Sequence, residues 1–409
     1  MCFFHEAGRT LRSCCDLSRV QPLKGQCGAA RGLEKQETPS PVKCKIAFLL
    51  PDLRTGGAER VFITLARELA SRGHDVELIL ASRQGELIQE LDQGVGIVSL
   101  DAFQGARVSW MGGVRALFRL RSHLRSNPPD VLCSTLTGAN LTALMARLRS
   151  GRRMRLVIRE AVSMENVKSH ARRLAMRCLY PLADRVIVLT DFMKEQMVQL
   201  GIAKDRISVI GNPVDIENIR SRAMDRADMH LIDTYQPFVL CVGRLVPQKD
   251  FATVIRAFAR IRDCTSLNLV ILGDGPERSR LRSLAAEYDL GDRLYMPGQV
   301  TNPYPWMKHA SAFVLSSRWE GYPNVLLEAL CLGTPIISTE YDPSVRAILS
   351  VAEDQYVRIV PVGDPDSLSR AIIEFSGVAP FGTAPRMLGN MERVVDAYER
   401  ELIAGCCRE

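Results

Sequence analysis

The sequence predicts an α/β protein made of two parallel-sheet domains in tandem, and three observations predict it. From residue 43 onward, short apolar runs alternate with helix-length stretches. A polar stretch at residues 212–236 interrupts that rhythm, which then restarts. Turns rich in Gly and Pro follow several of the apolar runs, where an open parallel sheet places its ligands. Strands joined through helices are parallel, and parallel strands covered on both faces read as continuous apolar runs. A chain of 409 residues is long enough for two cores.

In chain order, residues 1–42 carry no sustained periodicity and end in Thr38-Pro-Ser-Pro41, which predicts a poorly ordered extension. The first domain, residues 43–211, is expected to hold strands at 45–50, 76–81, 97–100, 131–134, 156–159, 186–189 and 207–210. Helices fill the gaps at 58–72, 113–125, 166–182 and 191–200. Residues 212–236 read as a linker with some helix. The second domain, 237–384, has strands at 238–242, 267–272, 294–296, 312–315, 335–338 and 358–360. A last helical stretch within 385–409 is placed to pack back on the first domain.

The net charge is +7, yet residues 101–180 hold 15 Lys and Arg against 4 Asp and Glu, so the basic excess belongs to the first half. Arg115, Arg119, Arg121 and Arg125 alternate with leucines and Phe118; Arg147, Arg149, Arg152, Arg153 and Arg155 follow, then Lys168, Arg172, Arg173 and Arg177. Such segments suit an anionic membrane surface or a lipid diphosphate; for any one of them a solvated helical face is the plainer reading. No nucleic-acid motif accompanies them. None of the 12 cysteines forms a C-x-x-C pair, so no zinc or redox site is expected. No apolar run approaches the ~18–20 residues of a membrane span, and the N-terminus lacks a signal pattern. A cytoplasmic protein is expected, able to lie on the inner face of the plasma membrane through its basic segments.

Four loops carry candidate chemistry. Gly56-Gly57 lets a ligand approach a helix start after the first strand, although a tight turn explains it equally well. Arg244 and Lys249 flank a shaped turn after the strand at 238–242, where cations can neutralise a diphosphate. Gly273-Asp-Gly-Pro276 opens like a dinucleotide fingerprint, but Arg278 stands at the last glycine position and the fingerprint fails. Glu320 and Glu328 lie eight positions apart across a helix start marked by Pro323. Amides at that start attract phosphate, and the carboxylates can accept hydroxyl groups, a combination that suits a nucleotide sugar.

These segments in this order, with Gly211-Asn-Pro-Val214, resemble the retaining GT-B glycosyltransferases of family 4 over nearly everything from residue 43 onward. The resemblance implies two Rossmann-like domains facing across a cleft. It implies that Arg244 and Lys249 hold the donor diphosphate and stabilise the departing phosphate, with Glu320 on the hydroxyls of the transferred sugar. Glu328 would bind the ribose. Backbone groups at Tyr322, Asn324 and Val325 would cradle phosphate, Gly57 would close on them, and the loop from Gly298 to Val300 would meet the base. On the acceptor side it points to Gly56, Arg159 and Glu160. Arg172, Arg173 and Arg177 are assigned to an acceptor diphosphate from their clustering. No metal or other cofactor is implied. The expected donor is a UDP-hexose or UDP-N-acetylhexosamine, and the expected acceptor a lipid-linked glycan or polysaccharide.

Two departures matter. Many relatives place a histidine after the strand at 156–159, whereas this chain has Arg159-Glu160, as in a subset acting on lipid-linked oligosaccharides. His170 is not promoted to catalyst. In the loop from 338–344 onward that subset carries a Gly and then a Glu where this chain reads Ser344-Val-Arg-Ala347, which leaves the donor sugar open. Two other readings stand beside this one. A catalytically silent nucleotide-sugar-binding protein would have the same fold. A nucleotide-dependent oxidoreductase or epimerase is disfavoured by the failed fingerprint.

Overall fold

The computed structural model describes residues 43–54, 56–91, 94–102, 110–148, 154–167, 169–377 and 391–405. The proposed extension 1–42, the basic residues Arg149, Arg152, Arg153 and Lys168, and the start of the last helical stretch at 385–390 lie outside them.

Seven parallel strands form the first sheet: β1 (Lys45–Leu50), β2 (Asp75–Leu80), β3 (Gly96–Ser99), β4 (Val131–Thr135), β5 (Arg155–Glu160), β6 (Arg185–Val188) and β7 (Ile207–Val209), in the order β3-β2-β1-β4-β5-β6-β7. Its helices are α1 (Gly57–Ser71), α2 (Trp110–Ser126), α3 (Thr137–Arg147), α4 (His170–Leu179) and α5 (Asp191–Gln199). Between the sheets come α6 (Ile216–Arg222) and α7 (Met229–Tyr235). The second sheet has β8 (Phe238–Val242), β9 (Asn268–Leu272), β10 (Leu294–Gly298), β11 (Ala312–Leu315), β12 (Ile336–Thr339) and β13 (Val357–Val360), in the order β10-β9-β8-β11-β12-β13, all parallel. Around it lie α8 (Phe251–Ile261), α9 (Arg278–Glu287), α10 (Tyr304–His309), α11 (Asn324–Cys331), α12 (Ser344–Leu349) and α13 (Pro365–Glu374), and α14 (Met391–Ile403) comes last.

Central strands such as β4, β8, β11 and β12 are almost wholly buried because helices cover both faces of each sheet. Each sheet therefore separates two apolar layers. In the first, Leu49, Leu132 and Ile158 face one layer and Phe48, Cys133 and Val157 the other. In the second, Leu240 and Phe313 face one, and Val239 and Val314 the other.

Three boundaries differ from the sequence reading. The stretch expected as one helix at 166–182 breaks into a turn, α4 and a second turn. Ser169 caps α4 by accepting from the Arg172 amide, and Pro181 sits in the turn beyond it. Helix α2 begins at Trp110, before the expected start. Residues 212–236 are more than a linker: Val214, Ile219, Ala223 and Ile232 are buried in the second domain's core, and Tyr235 stacks on Tyr295 with ring centres 4.2 Å apart. Their polar composition describes only the outward face.

Helix α14 packs on the first sheet, not the second. Val395, Tyr398 and Leu402 are fully buried beside Phe48, Phe62 and Val157. Its polar face pairs Glu399 with Arg72 and His74, the latter at 2.8 Å, and Glu401 with Arg185 at 2.7 Å.

Candidate active site

The carboxyl edges of the two sheets meet. After β11, a Cβ on Gly321 would lie 1.8 Å from the carbonyl oxygen of Ala161, which follows β5, so only glycine fits there. Tyr322 packs against the cores of both domains. A Cβ on Gly211 would lie 2.8 Å from the Tyr322 hydroxyl, and one on Gly57 3.1 Å from Asn324 Nδ2.

On the second-domain side, the loops after β8, β9 and β10 continue the sheet's hydrogen bonding. The Gly243 amide donates to Leu272, the Leu245 amide to Asp274 and the Gly273 amide to Gly298. Gly273 has φ 143° and approaches the Gly243 carbonyl so closely that a Cβ would lie 1.9 Å from it. This zipper fixes the turn carrying Arg244 and Lys249. Lys249 Nζ donates to Glu320 Oε1 at 2.5 Å, and Ser317 Oγ donates to the same oxygen at 2.5 Å. Gln248 Nε2 reaches Glu320 Oε2 at 3.4 Å and the Trp319 carbonyl at 2.8 Å. Glu320 and Lys249, separated by 71 positions, thus form one nearly buried unit at the start of α11. Arg244 is exposed, and its charge acts on Glu59 in the first turn of α1, across the cleft. Burial, then the Asp52 charge, push the Glu59 carboxyl above its ordinary range against the pull of Arg244 and Arg159.

Glu328 stands one helical turn beyond Asn324 on the same face of α11. Both line a cavity of about 230 Å³ with Tyr304, Arg222, Arg60 and Thr64. Arg222 donates to the Thr301 carbonyl at 3.0 Å, beside Val300, and lies 5.0 Å over the Tyr304 ring. Burial raises Glu328 to about 7, opposed by Arg60 and Arg222. Gly298, with φ 109°, is buried; a Cβ there would lie 2.8 Å from Arg278 Nη1. Val300 packs on the second core.

Arg159 and Glu160 are not acceptor contacts in this structure, because both are fully buried. Arg159 donates to Thr135 Oγ1 at 2.9 Å, Tyr398 Oη at 3.0 Å and Asn212 Oδ1 at 2.6 Å. Asn212 Nδ2 in turn donates to Asn324 Oδ1 at 2.6 Å, so a buried guanidinium ties the last helix to the first residue of α11. Glu160 accepts from Tyr180 Oη at 2.5 Å and from the amides of Ala161 and Val162 at 3.1 Å, which shapes the turn that receives Gly321. Its carboxyl is raised, first by burial.

Arg172, Arg173 and Arg177 are exposed on α4. Arg173 is already committed: its Nε donates to the Val167 carbonyl at 2.7 Å and steadies the turn that carries Glu165. Gly56 lies under the Glu59 carboxylate, a Cβ there falling 2.1 Å from Glu59 Oε2. In the same domain Phe118 on α2, Met145 on α3, Leu148 just beyond it and Leu174 on α4 are exposed, as are Arg115 on α2 and Arg172 and Arg177 on α4. Among the described residues, no helix is long and apolar enough to cross a membrane, and no cluster of metal-ligating side chains occurs.

The family model for Glycosyltransferase Family 4 matches residues 55–218, and that for Glycosyl transferases group 1 matches residues 226–377, between them most of the chain. The chain belongs to the family 4 glycosyltransferases. This glycosyltransferase is 29% identical, over 80% of its length and 89% of the relative's, to the N-acetylgalactosamine-N,N'-diacetylbacillosaminyl-diphospho-undecaprenol 4-alpha-N-acetylgalactosaminyltransferase of Campylobacter jejuni. It is 28% identical to the lipopolysaccharide core biosynthesis glycosyltransferase LpsE of Rhizobium meliloti, over 86% of its own length and 94% of the relative's. Its fold is that of Anabaena HepE in complex with UDP and glucose, with TM-score 0.72, 17% identity, and 88% and 100% of the two chains covered. The architecture is therefore GT-B.

Sequence reasoning missed Glu59, Asn212 and Tyr398 in this glycosyltransferase. Glu59 had a usable signal, an acidic residue in the first helical turn after Gly-Gly. Asn212 lies in the Gly211-Asn-Pro-Val214 segment, which marked the place but not the role; Tyr398 had no signal, and the importance of both comes from one buried arginine.

Proposed function

We propose that this family 4 glycosyltransferase moves a hexose or N-acetylhexosamine from a UDP-sugar to a glycan carried on a lipid diphosphate, with retention of configuration and without a metal. The observation that carries the reading is the Lys249–Glu320–Ser317 unit beside the start of α11, with Glu328 in the neighbouring cavity. A donor laid along α11 would put its ribose on Glu328, its base near residues 298–300 and its diphosphate at the helix start. Arg244 and Lys249 would neutralise the departing phosphate, the electrostatic work a metal performs elsewhere. Lys249 carries three N–H donors, so it can hold Glu320 and a phosphate oxygen together. Glu320 would then orient sugar hydroxyls, and the leaving phosphate would take the acceptor's proton. The acceptor named for the Campylobacter relative, a diphospho-undecaprenol glycan, supports the acceptor class.

The same reading makes the protein a cytoplasmic enzyme that rests on the membrane through α2 and α4, whose exposed Phe118 and Leu174 sit among arginines. The test pairs purified protein with UDP-sugars and an undecaprenyl-diphosphate-linked sugar, with and without EDTA, and follows the product by mass spectrometry. Sugar addition that survives EDTA supports the proposal; binding of UDP-sugars without any turnover would favour the silent sugar-binding reading.

A further inference from the structure

Tyr341 is 9% exposed, and its hydroxyl has no hydrogen-bond partner among the described residues. Packing alone does not require that oxygen, since phenylalanine would fill the same space. Buried phenols normally find a partner. The sheet explains where this one lies. Strands β11 and β12 are parallel neighbours, with Leu315 opposite Ser338, so the loop after β12 emerges beside the loop that carries Glu320. Thr339 Oγ1 clamps the two by donating to the Ser317 carbonyl at 2.6 Å. Tyr341 then follows in the segment that departs from the family pattern.

Its surroundings are acceptors already in use. Glu320 Oε1 takes both Lys249 and Ser317, and Asp342 Oδ1 takes the Ser344 amide at 2.8 Å and the Ser344 hydroxyl. Burial first, then the charges of Asp342 and Glu320, hold the phenol protonated, so it is a donor. Asp342 also feels Glu165 from the first domain, which places this group at the junction of the two. A sugar hydroxyl both donates and accepts, so it can link a phenol that must give to carboxylates that must receive.

We propose that the Tyr341 hydroxyl donates a hydrogen bond to an oxygen of the transferred sugar and thereby helps decide which UDP-sugar is accepted. This rests on the donor-site reading above and narrows it to one side chain. A site built to hydrogen-bond one substrate oxygen rejects an analogue that misplaces it.

The experiment compares wild type with Tyr341→Phe. UDP binding is measured by calorimetry, thermal stability by scanning fluorimetry, and kcat/KM with UDP-glucose, UDP-galactose and their two N-acetylated counterparts. The variant is expected to melt at or above the wild-type temperature and to bind UDP within about twofold. It should lose about tenfold or more in kcat/KM for the preferred donor, so that the spread between donors narrows. Unchanged donor ratios would overturn the assignment while leaving the donor site standing. A wild-type protein that binds neither UDP nor any of the four sugars would overturn the donor-site reading and this one with it.

Discussion

Replacing Glu328 by glutamine should stabilise the protein fully at neutral pH and above, and progressively less as the pH falls toward 4.5. In the folded chain Glu328 holds its proton until about pH 7, against 4.5 for an ordinary glutamate, because burial beside the Tyr304 cavity outweighs the attraction of Arg60 and Arg222. The unfolded carboxyl ionises near 4.5, so between these values the unfolded state gives up its proton and the native state does not. Stability therefore falls as pH rises through that window and stays low above it. The shift is equivalent to about 3 kcal/mol at pH 8; water reaching the rim of the cavity trims that toward about 1–3 kcal/mol. With about 2–4 °C per kcal/mol for a domain of this size, Glu328→Gln should melt several degrees above wild type at pH 8 and nearly level with it at pH 5. The assay is scanning calorimetry of both proteins across that range. Equal shifts at both pH values, or a less stable variant at pH 8, would refute the reasoning. UDP binding supplies the companion measurement: if the ionised carboxylate receives ribose hydroxyls, the affinity ratio of wild type to variant should be larger at pH 8 than at pH 6.

Lys249→Met removes the cation beside Glu320 and should lower kcat for sugar transfer by about 10²–10³-fold, measured by steady-state turnover; a loss under about threefold would separate Lys249 from the leaving group. Gly321→Ala forces a methyl group into the Ala161 carbonyl. Local parting of the domains should cost about tenfold or more in transfer efficiency while calorimetry shows UDP binding retained. Tyr398→Phe strips one acceptor from buried Arg159, a charged hydrogen bond worth about 1.5–3 kcal/mol. Thermal melting should fall by several degrees with UDP affinity unchanged, and an unaltered melting temperature would show that the guanidinium finds another partner.

The strands were legible because parallel strands buried on both faces leave uninterrupted apolar runs, as in Phe238-Val-Leu-Cys241. Helix ends were harder: nothing short of the hydroxyl geometry distinguishes Ser169 as the cap of α4. In residues 212–236 the charged side chains drew attention away from Ile219 and Ile232, which the second core buries. The Glu320 and Lys249 candidates come together because each lies in the loop after one of two neighbouring parallel strands; the alternation puts both loops at the carboxyl edge, but the sheet order that makes β8 and β11 neighbours is not legible in it. Arg159 and Glu160 misled for another reason. Their acceptor role was carried over from the position of a histidine in many relatives, and the buried partners that occupy them here lie as far off as Asn212 and Tyr398.

Because the last helix completes the first domain, the order of synthesis and the order of assembly disagree. Residues 43–211 leave the ribosome long before Val395, Tyr398 and Leu402 exist to cover Phe48 and Phe62. The early lobe must wait, with one flank bare and Arg159 short of an acceptor, until the later lobe has been translated. Trimming a dozen residues from the tail would thus injure the opposite end of the chain, and expressing the leading lobe alone should yield a sticky, half-finished product.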